Sequence, residues 1–183
     1  MSARVEHRAR PQRRCVRTAL ARREGGGGQS RPLVSRPTAD SGSAQEARTG
    51  RRILVVDDES SIRLVCTINL RLAGYGVVEA ADGTEALRRA EENDFDLVLL
   101  DVMLPDLGGH EVARRLGARA PIAFLSARAS HDDVRAGYEA GAVDYITKPF
   151  DPLELAERVD EILTRAARGE SESFRRARLA ELE

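Results

Sequence analysis

The chain has 183 residues, a net charge of −1 and two cysteines. That length holds one domain plus additional segments. Cys15 and Cys66 are too few for a disulfide framework and have no metal-ligand spacing, which fits a reducing compartment. No apolar run approaches ~18 residues, so the sequence predicts no membrane span and a cytoplasmic protein.

The small net charge conceals an asymmetry. Residues 1–52 carry 13 Arg against four acids, whereas residues 53–183 carry 16 basic and 26 acidic residues. The first segment also holds Gly25-Gly-Gly-Gly28 and the pairs Arg31-Pro32 and Arg36-Pro37, with few large apolar residues. Such a composition cannot offset the entropy of ordering, so residues 1–50 are expected to form a disordered Arg/Gly-rich arm. Basic arms bind polyanions nonspecifically, which keeps nucleic-acid contact open as a role. Arg13-Arg14 is followed by no apolar stretch, against a twin-arginine signal; a transit peptide remains an alternative.

From Arg52 the pattern becomes regular. Arg52-Ile-Leu-Val-Val-Asp57 reads as a buried strand ending in acids. Ser60 and Ser61 can start a helix whose inner face is Ile62, Val65, Cys66 and Leu72, stopped at Gly74. Gly76–Ala80 is a short strand. Asp82-Gly83-Thr84 caps a helix with Ala86, Leu87 and Ala90 inward, closed by Asn93-Asp94. Phe95 to Leu100 is the central strand, delivering Asp101. Pro105-Asp106-Leu-Gly-Gly109 is a loop, and Val112 and Leu116 mark a short helix ended near Gly117. Pro121–Leu125 is a strand ending in Ser126. Asp132 to Ala140 is a weakly apolar helix. Val143–Ile146 is the last strand, followed by Thr147-Lys148-Pro149-Phe150. Asp151-Pro152 opens a helix with Leu155, Val159, Ile162 and Leu163 inward. Arg168 to Glu183 is a mostly charged C-terminal tail, expected as a frayed or solvated helix.

Five strand–helix units with short connections imply an α/β fold: a five-stranded parallel, doubly wound sheet with helices on both faces. In such folds ligands sit at the carboxyl ends of the strands. Those ends carry Asp57 and Asp58, Asp101, Ser126 and Lys148. Three nearby carboxylates repel, and a hard divalent cation such as Mg²⁺ relieves them. Lys148 is the only lysine in the chain, which suggests a need for a compact ammonium. The plainer alternatives are acids that cap helices, a Lys148 surface ion pair, and a Tyr145 that merely packs on an edge strand.

Ile53-Leu-Val-Val-Asp-Asp-Glu59, Leu99-Leu-Asp-Val-Met-Leu-Pro-Asp106, Leu125-Ser-Ala127 and Asp144-Tyr-Ile-Thr-Lys-Pro-Phe150 together resemble the response-regulator receiver domain of bacterial two-component systems. The resemblance covers residues 51–167 and implies a flavodoxin-like strand order 2-1-3-4-5. It implies that Asp101 is the phosphoacceptor, taking a phosphoryl group from a sensor histidine kinase or phosphotransfer protein. It further implies Mg²⁺ held by Asp57, Asp58, Asp101 and the Met103 backbone carbonyl, with Lys148 and Ser126 contacting the phosphoryl oxygens. Ser126 and Tyr145 would form the switch, and Lys148-Pro149 a cis peptide. Such a protein is no enzyme on a separate substrate; it catalyses only its own phosphorylation and dephosphorylation.

The implied output is a two-state change on the face of the fourth helix, fifth strand and fifth helix, read by an unidentified downstream protein. The fifth-strand region is closest to the branch that carries a winged-helix DNA-binding domain. Asp144 and Arg158 fit that branch's charged dimer pairs, but Val143 and Asp160 stand where an acid and a base are expected, which argues against homodimers on phosphorylation. Leu107-Gly-Gly109 replaces a more usual Asp-Gly pair, and predicts a looser loop beside Asp101. Two other readings compete. One is a remnant or truncated DNA-binding regulator whose basic arm touches nucleic acid; the other is an unphosphorylated docking module.

Overall fold

The computed structural model of the chain describes residues 48–127 and 130–182. The arm expected over 1–50 lies outside the described residues except for its last three, and Cys15 lies outside them too. In chain order the elements are β1 (Arg52–Val56), α1 (Ser60–Leu72), β2 (Gly76–Ala80), α2 (Gly83–Glu92), β3 (Leu97–Asp101), α3 (Gly109–Leu116), a single 3₁₀ turn, β4 (Ile122–Ser126), α4 (His131–Glu139), β5 (Asp144–Thr147), α5 (Pro152–Ala167) and α6 (Ser171–Glu181). The five strands form one parallel sheet in the order β2-β1-β3-β4-β5.

The apolar runs explain the sheet. Successive side chains of a strand point to opposite faces, so a strand covered on both sides must be apolar throughout. Every residue of β3 and β4 is buried, as is β1 from Ile53 onward. Ile53, Val55, Leu97, Leu99 and Leu125 face α1 and α5, meeting Cys66, Leu70, Leu155, Val159 and Ile162. Leu54, Val56, Val98, Leu100 and Phe124 face the other way, meeting Ala86, Val112, Leu116 and Tyr138.

The helix starts follow local chemistry. Asp82 caps α2 by accepting from the Glu85 N–H at 2.7 Å, while Glu85 reaches back to the Ala81 N–H at 3.0 Å, the reciprocal logic of a capping box. Asp151 accepts from Leu153 N–H at 2.8 Å, with Pro152 in the first turn of α5. In α1, by contrast, neither serine caps. Glu59 holds the N-cap position without a side-chain bond.

Two expectations on the helices fail. Leu72 is 78% exposed; Cys66 is buried and Ile62 packs on the core as expected, but Thr67 and Leu70 complete the inner face of α1 in its place. Six residues on from Cys66, at about 100° per residue, Leu72 has turned about 120° away from it and off the inner face. The C-terminal tail is a helix as expected, but one side of it is docked rather than solvated, although none of its residues is fully buried. Phe174, Leu179 and Leu182 gather on one side of α6, and the two leucines pack against the core cluster around Phe124 and Tyr138.

Candidate functional site

Register builds the site. Val56 pairs with Leu100, so the next residues, Asp57 and Asp101, emerge side by side at the carboxyl edge. Asp58 follows on the loop to α1. One carboxylate oxygen from each of Asp57, Asp58 and Asp101 lies within 4.8 Å of the others. Asp57 is fully buried, Asp101 is 6% exposed, and Asp58 is open to solvent.

Lys148 enters from the loop after β5. Its Nζ donates to Asp57 Oδ2 at 2.5 Å and to Asp101 Oδ2 at 2.7 Å. The remaining oxygens of both acids are fixed by main chain: Glu59 N–H donates to Asp57 Oδ1, and Met103 N–H to Asp101 Oδ1, each at 3.0 Å. Burial pushes the Asp57 carboxyl above its ordinary value, and the bonds from Lys148 and Glu59 only partly oppose it. Burial pulls the Lys148 ammonium down, but its bonds to Asp101 and Asp57 outweigh that and leave it raised. One ammonium among three carboxylates leaves excess negative charge, and all the side-chain donors are hard oxygens. That donor set fits a divalent cation of the magnesium kind. Lys148-Pro149 is cis.

The loop after Asp101 is tied down, contrary to the looseness its Gly-Gly pair suggested. Asp106 accepts from Gly83 N–H at 2.9 Å, from Thr84 N–H at 2.8 Å and from the Thr84 hydroxyl at 2.6 Å, joining the loop to the start of α2. Gly109 N–H donates to Val102 O at 2.9 Å. Sequence reasoning gave Asp106 no role. Its partners lie more than twenty residues upstream, and no local pattern announces them.

The sequence profile of the response regulator receiver domain matches residues 53–160. The chain belongs to the response-regulator receiver family.

Among curated relatives, the receiver is 48% identical over 119 residues to the alkaline phosphatase synthesis transcriptional regulatory protein PhoP of Bacillus subtilis, covering 63% of this chain and 50% of that protein. It is 43% identical over 129 residues to the phosphate regulon transcriptional regulatory protein PhoB of Pseudomonas aeruginosa, covering 68% of this chain and 56% of that one. The chain thus spans about half the length of these relatives. Among solved structures, a CheY-like receiver domain protein from Methanospirillum hungatei superposes with a TM-score of 0.61 at 33% identity, covering 65% of this chain and 98% of that one.

The other two expected site residues of the receiver lie on β4 and β5, the strands next along the sheet from β3. Ser126 ends β4, fully buried, paired in register with Thr147 just before Lys148. Lys148 N–H donates to the Ser126 carbonyl at 2.7 Å. Tyr145 in β5 is 9% exposed, with its ring centroid 6.1 Å from Phe124. Gly137 of α4 lets both rings approach: a Cβ there would meet Tyr145 Cδ2 at 3.0 Å and Phe124 Cδ2 at 3.1 Å. His110 also packs edge-on with Phe124, at 5.0 Å between ring centroids. Burial and the neighbouring Arg114 charge pull its imidazole below the ordinary value. Neither Gly137 nor His110 was anticipated, because each matters through contacts made only in the fold.

The charges on the β5–α5 side are used within the chain. Buried Asp144 accepts from Arg158 at 2.8 Å and also from Arg165. Asp160, which stands where a base was expected, accepts from Arg48 and from the Tyr75 hydroxyl. Among the described residues, no helix is long and apolar enough to cross a membrane.

Proposed function

We propose that Asp101 accepts a phosphoryl group from the phosphohistidine of a sensor kinase or phosphotransfer protein, in the cytoplasm. The observation that carries this reading is the Lys148 ammonium bridging Asp57 and Asp101 inside a three-carboxylate pocket. An Asp101 oxygen attacks phosphorus, the P–N bond breaks, and its electron pair returns to the imidazole. Phosphoryl transfer asks little covalent work of the protein, so positioning and charge neutralisation carry it.

Each residue then has a task. The Met103 N–H and the Lys148 Nζ hold the Asp101 carboxylate in one orientation. Lys148 moves its charge to a phosphoryl oxygen, and the Ser126 hydroxyl donates to another. Asp57, Asp58, Asp101 and the Met103 carbonyl would hold Mg²⁺, which supplies charge neutralisation at the transferring group. The signal leaves through α4, β5 and α5, with Ser126 and Tyr145 as the moving parts. A cleft of 510 Å³ between β5 and α5, lined by Tyr145, Ile146, Phe150, Glu154 and Arg158 among others, offers a downstream protein a place to dock. The receiver region, about 51–167, is the signalling unit.

The test uses wild type and Asp101→Asn with Mg²⁺ and acetyl phosphate, resolved on a phosphate-affinity gel. A shifted band in wild type, absent in the variant and on adding chelator, is expected. An unshifted wild type sinks the reading.

A further inference from the structure

The chain reverses after α5 at Gly169, whose φ of +72° suits a residue without a Cβ. This sends α6 back over the domain, where it contacts α4 and α5. Leu179 and Leu182 pack against the cluster that contains Phe124, Tyr138 and Tyr145. Arg178 interacts with the phenol of Tyr138, a residue that is 2% exposed and lies in the last turn of α4. Arg175 reaches the turn after α4, with Nη1 3.7 Å from where a Cβ on Gly141 would stand. The Phe174 ring lies under the Arg165 guanidinium at 3.9 Å, and Arg165 donates to buried Asp144 at the start of β5. A continuous set of contacts therefore joins α6 to α4, β5 and α5, the three elements of the output face.

We propose that α6 is an intramolecular clasp on this face, and that its docking and phosphorylation of Asp101 oppose each other. The proposal rests on the phosphoacceptor reading above and adds a regulator to it.

The argument is mechanical. Only residues 127–130 separate Ser126 from His131, the first residue of α4. A Ser126 drawn toward a phosphoryl group pulls on the N-terminal end of α4. That helix is thinly anchored by itself: its described core contacts are Val134, Gly137 and Tyr138, and Asp132, Asp133, Arg135 and Glu139 are polar. At its other end α6 adds two leucines and the charge of Arg178 beside Tyr138. The element that must move is thus held at the end remote from the phosphosite. Coupling of this kind is reciprocal: if docked α6 disfavours the phosphorylated arrangement, phosphorylation disfavours docked α6 by the same factor. The same position of α6 covers surface on α4 that a partner of the output face would need.

The experiment uses the full chain as wild type, Leu179→Glu/Leu182→Glu and Arg178→Gln, each titrated with beryllofluoride in Mg²⁺ as a phosphoryl mimic. Hydrogen exchange is followed in parallel. Both variants should bind beryllofluoride about 5-fold more tightly or better, and in wild type the mimic should speed exchange of α6 amides while those of α1 do not accelerate. Equal affinity in all three proteins, or α6 protection unmoved by the mimic, overturns the clasp. If the double leucine variant lacks the wild-type circular dichroism, Arg178→Gln, which keeps the apolar contact, decides alone. Wild type that takes up no beryllofluoride overturns the phosphoacceptor reading and the clasp with it. Uptake without any difference among the three overturns the clasp only.

Discussion

Gly109 rests on the main chain of Asp101, so closely that a Cβ on it would stand 2.1 Å from the Asp101 carbonyl oxygen and 2.8 Å from Val102 Cα. Both obstacles are backbone at the strand end that holds the proposed phosphoacceptor, so no flexible side chain can yield. Gly109→Ala should destabilise the protein by about 2 kcal/mol or more, at the upper part of the overpacking range, and slow labelling of Asp101 by acetyl phosphate. Urea unfolding checks the first part. A change under about 0.5 kcal/mol, typical of an innocuous surface site, would show that the two segments are not pressed together.

Asp106 pins the same loop to α2, and its charge gives that pin a pH signature. Burial alone would raise its carboxyl. Donation from the Thr84 hydroxyl and from the Gly83, Leu107 and Thr84 amides outweighs this and holds it far below the usual range. A depressed folded pKa adds stability that is complete above the unfolded value and is lost as pH falls through the folded one. Asp106→Ala should therefore cost about 1 kcal/mol at pH 7, a capping-sized loss for an exposed side chain. The gap from wild type should narrow as pH drops below about 4. Urea midpoints at pH 7, 5 and 3 measure it, and a gap that stays constant or widens in acid contradicts the assignment.

The sheet and the pocket are legible in the sequence for one reason. A strand buried on both faces has to be apolar along its length, so Asp57 and Asp101 stand out as the places where Ile53-Leu-Val-Val and Leu97-Val-Leu-Leu stop. Strand ends of a parallel sheet share an edge, which brings distant acids together without knowledge of any contact. The remaining features depend on angle and partner. The rotation that exposes Leu72 is hard to choose when Ile62, Val65, Cys66 and Leu72 are all apolar candidates. The docking of α6 rests on three apolar side chains among many charges, and a solvated helix could have the same composition. The Arg48–Asp160 pair joins residues 112 apart, and Asp160 read alone is an acid where a base was expected.

Gly137 sets the room available to Tyr145. Its missing Cβ leaves contacts of 3.0 and 3.1 Å to the Tyr145 and Phe124 rings, which is tight enough that a methyl must displace one of them. Phe124 is fully buried in β4, whereas Tyr145 lies on the edge strand β5 and is the one able to turn outward. Gly137→Ala should leave the fold intact at a cost of about 1 kcal/mol, since the helix propensity it gains offsets only part of the packing loss. Tyr75, Tyr138 and Tyr145 are all buried, so tetranitromethane should nitrate wild type slowly. In the variant Tyr145 alone should become reactive, read by peptide mass. Equal protection of all three tyrosines would mean that the ring stays inward and that Gly137 does not govern it.

Asp57 connects stability to the metal. Its carboxyl is fully buried and pushed upward by that burial. A group with a raised folded pKa favours folding below its unfolded value, and that advantage is lost as pH rises through the folded value. At neutral pH the charged Asp57 therefore weakens the metal-free protein, and the other carboxylates beside it add to the effect. In chelator, Asp57→Asn should be more stable than wild type by about 1 kcal/mol, because an amide of the same shape needs no counter-charge. Adding Mg²⁺ should reverse the order. Wild type gains stability with the logarithm of free Mg²⁺ above its dissociation constant, whereas the variant, short of one ligand, gains little. Thermal unfolding with and without Mg²⁺ follows both changes. A variant less stable than wild type in chelator would mean that the bond from Lys148 outweighs burial at Asp57, and an equal Mg²⁺ response in the two proteins would remove Asp57 from the ligand set.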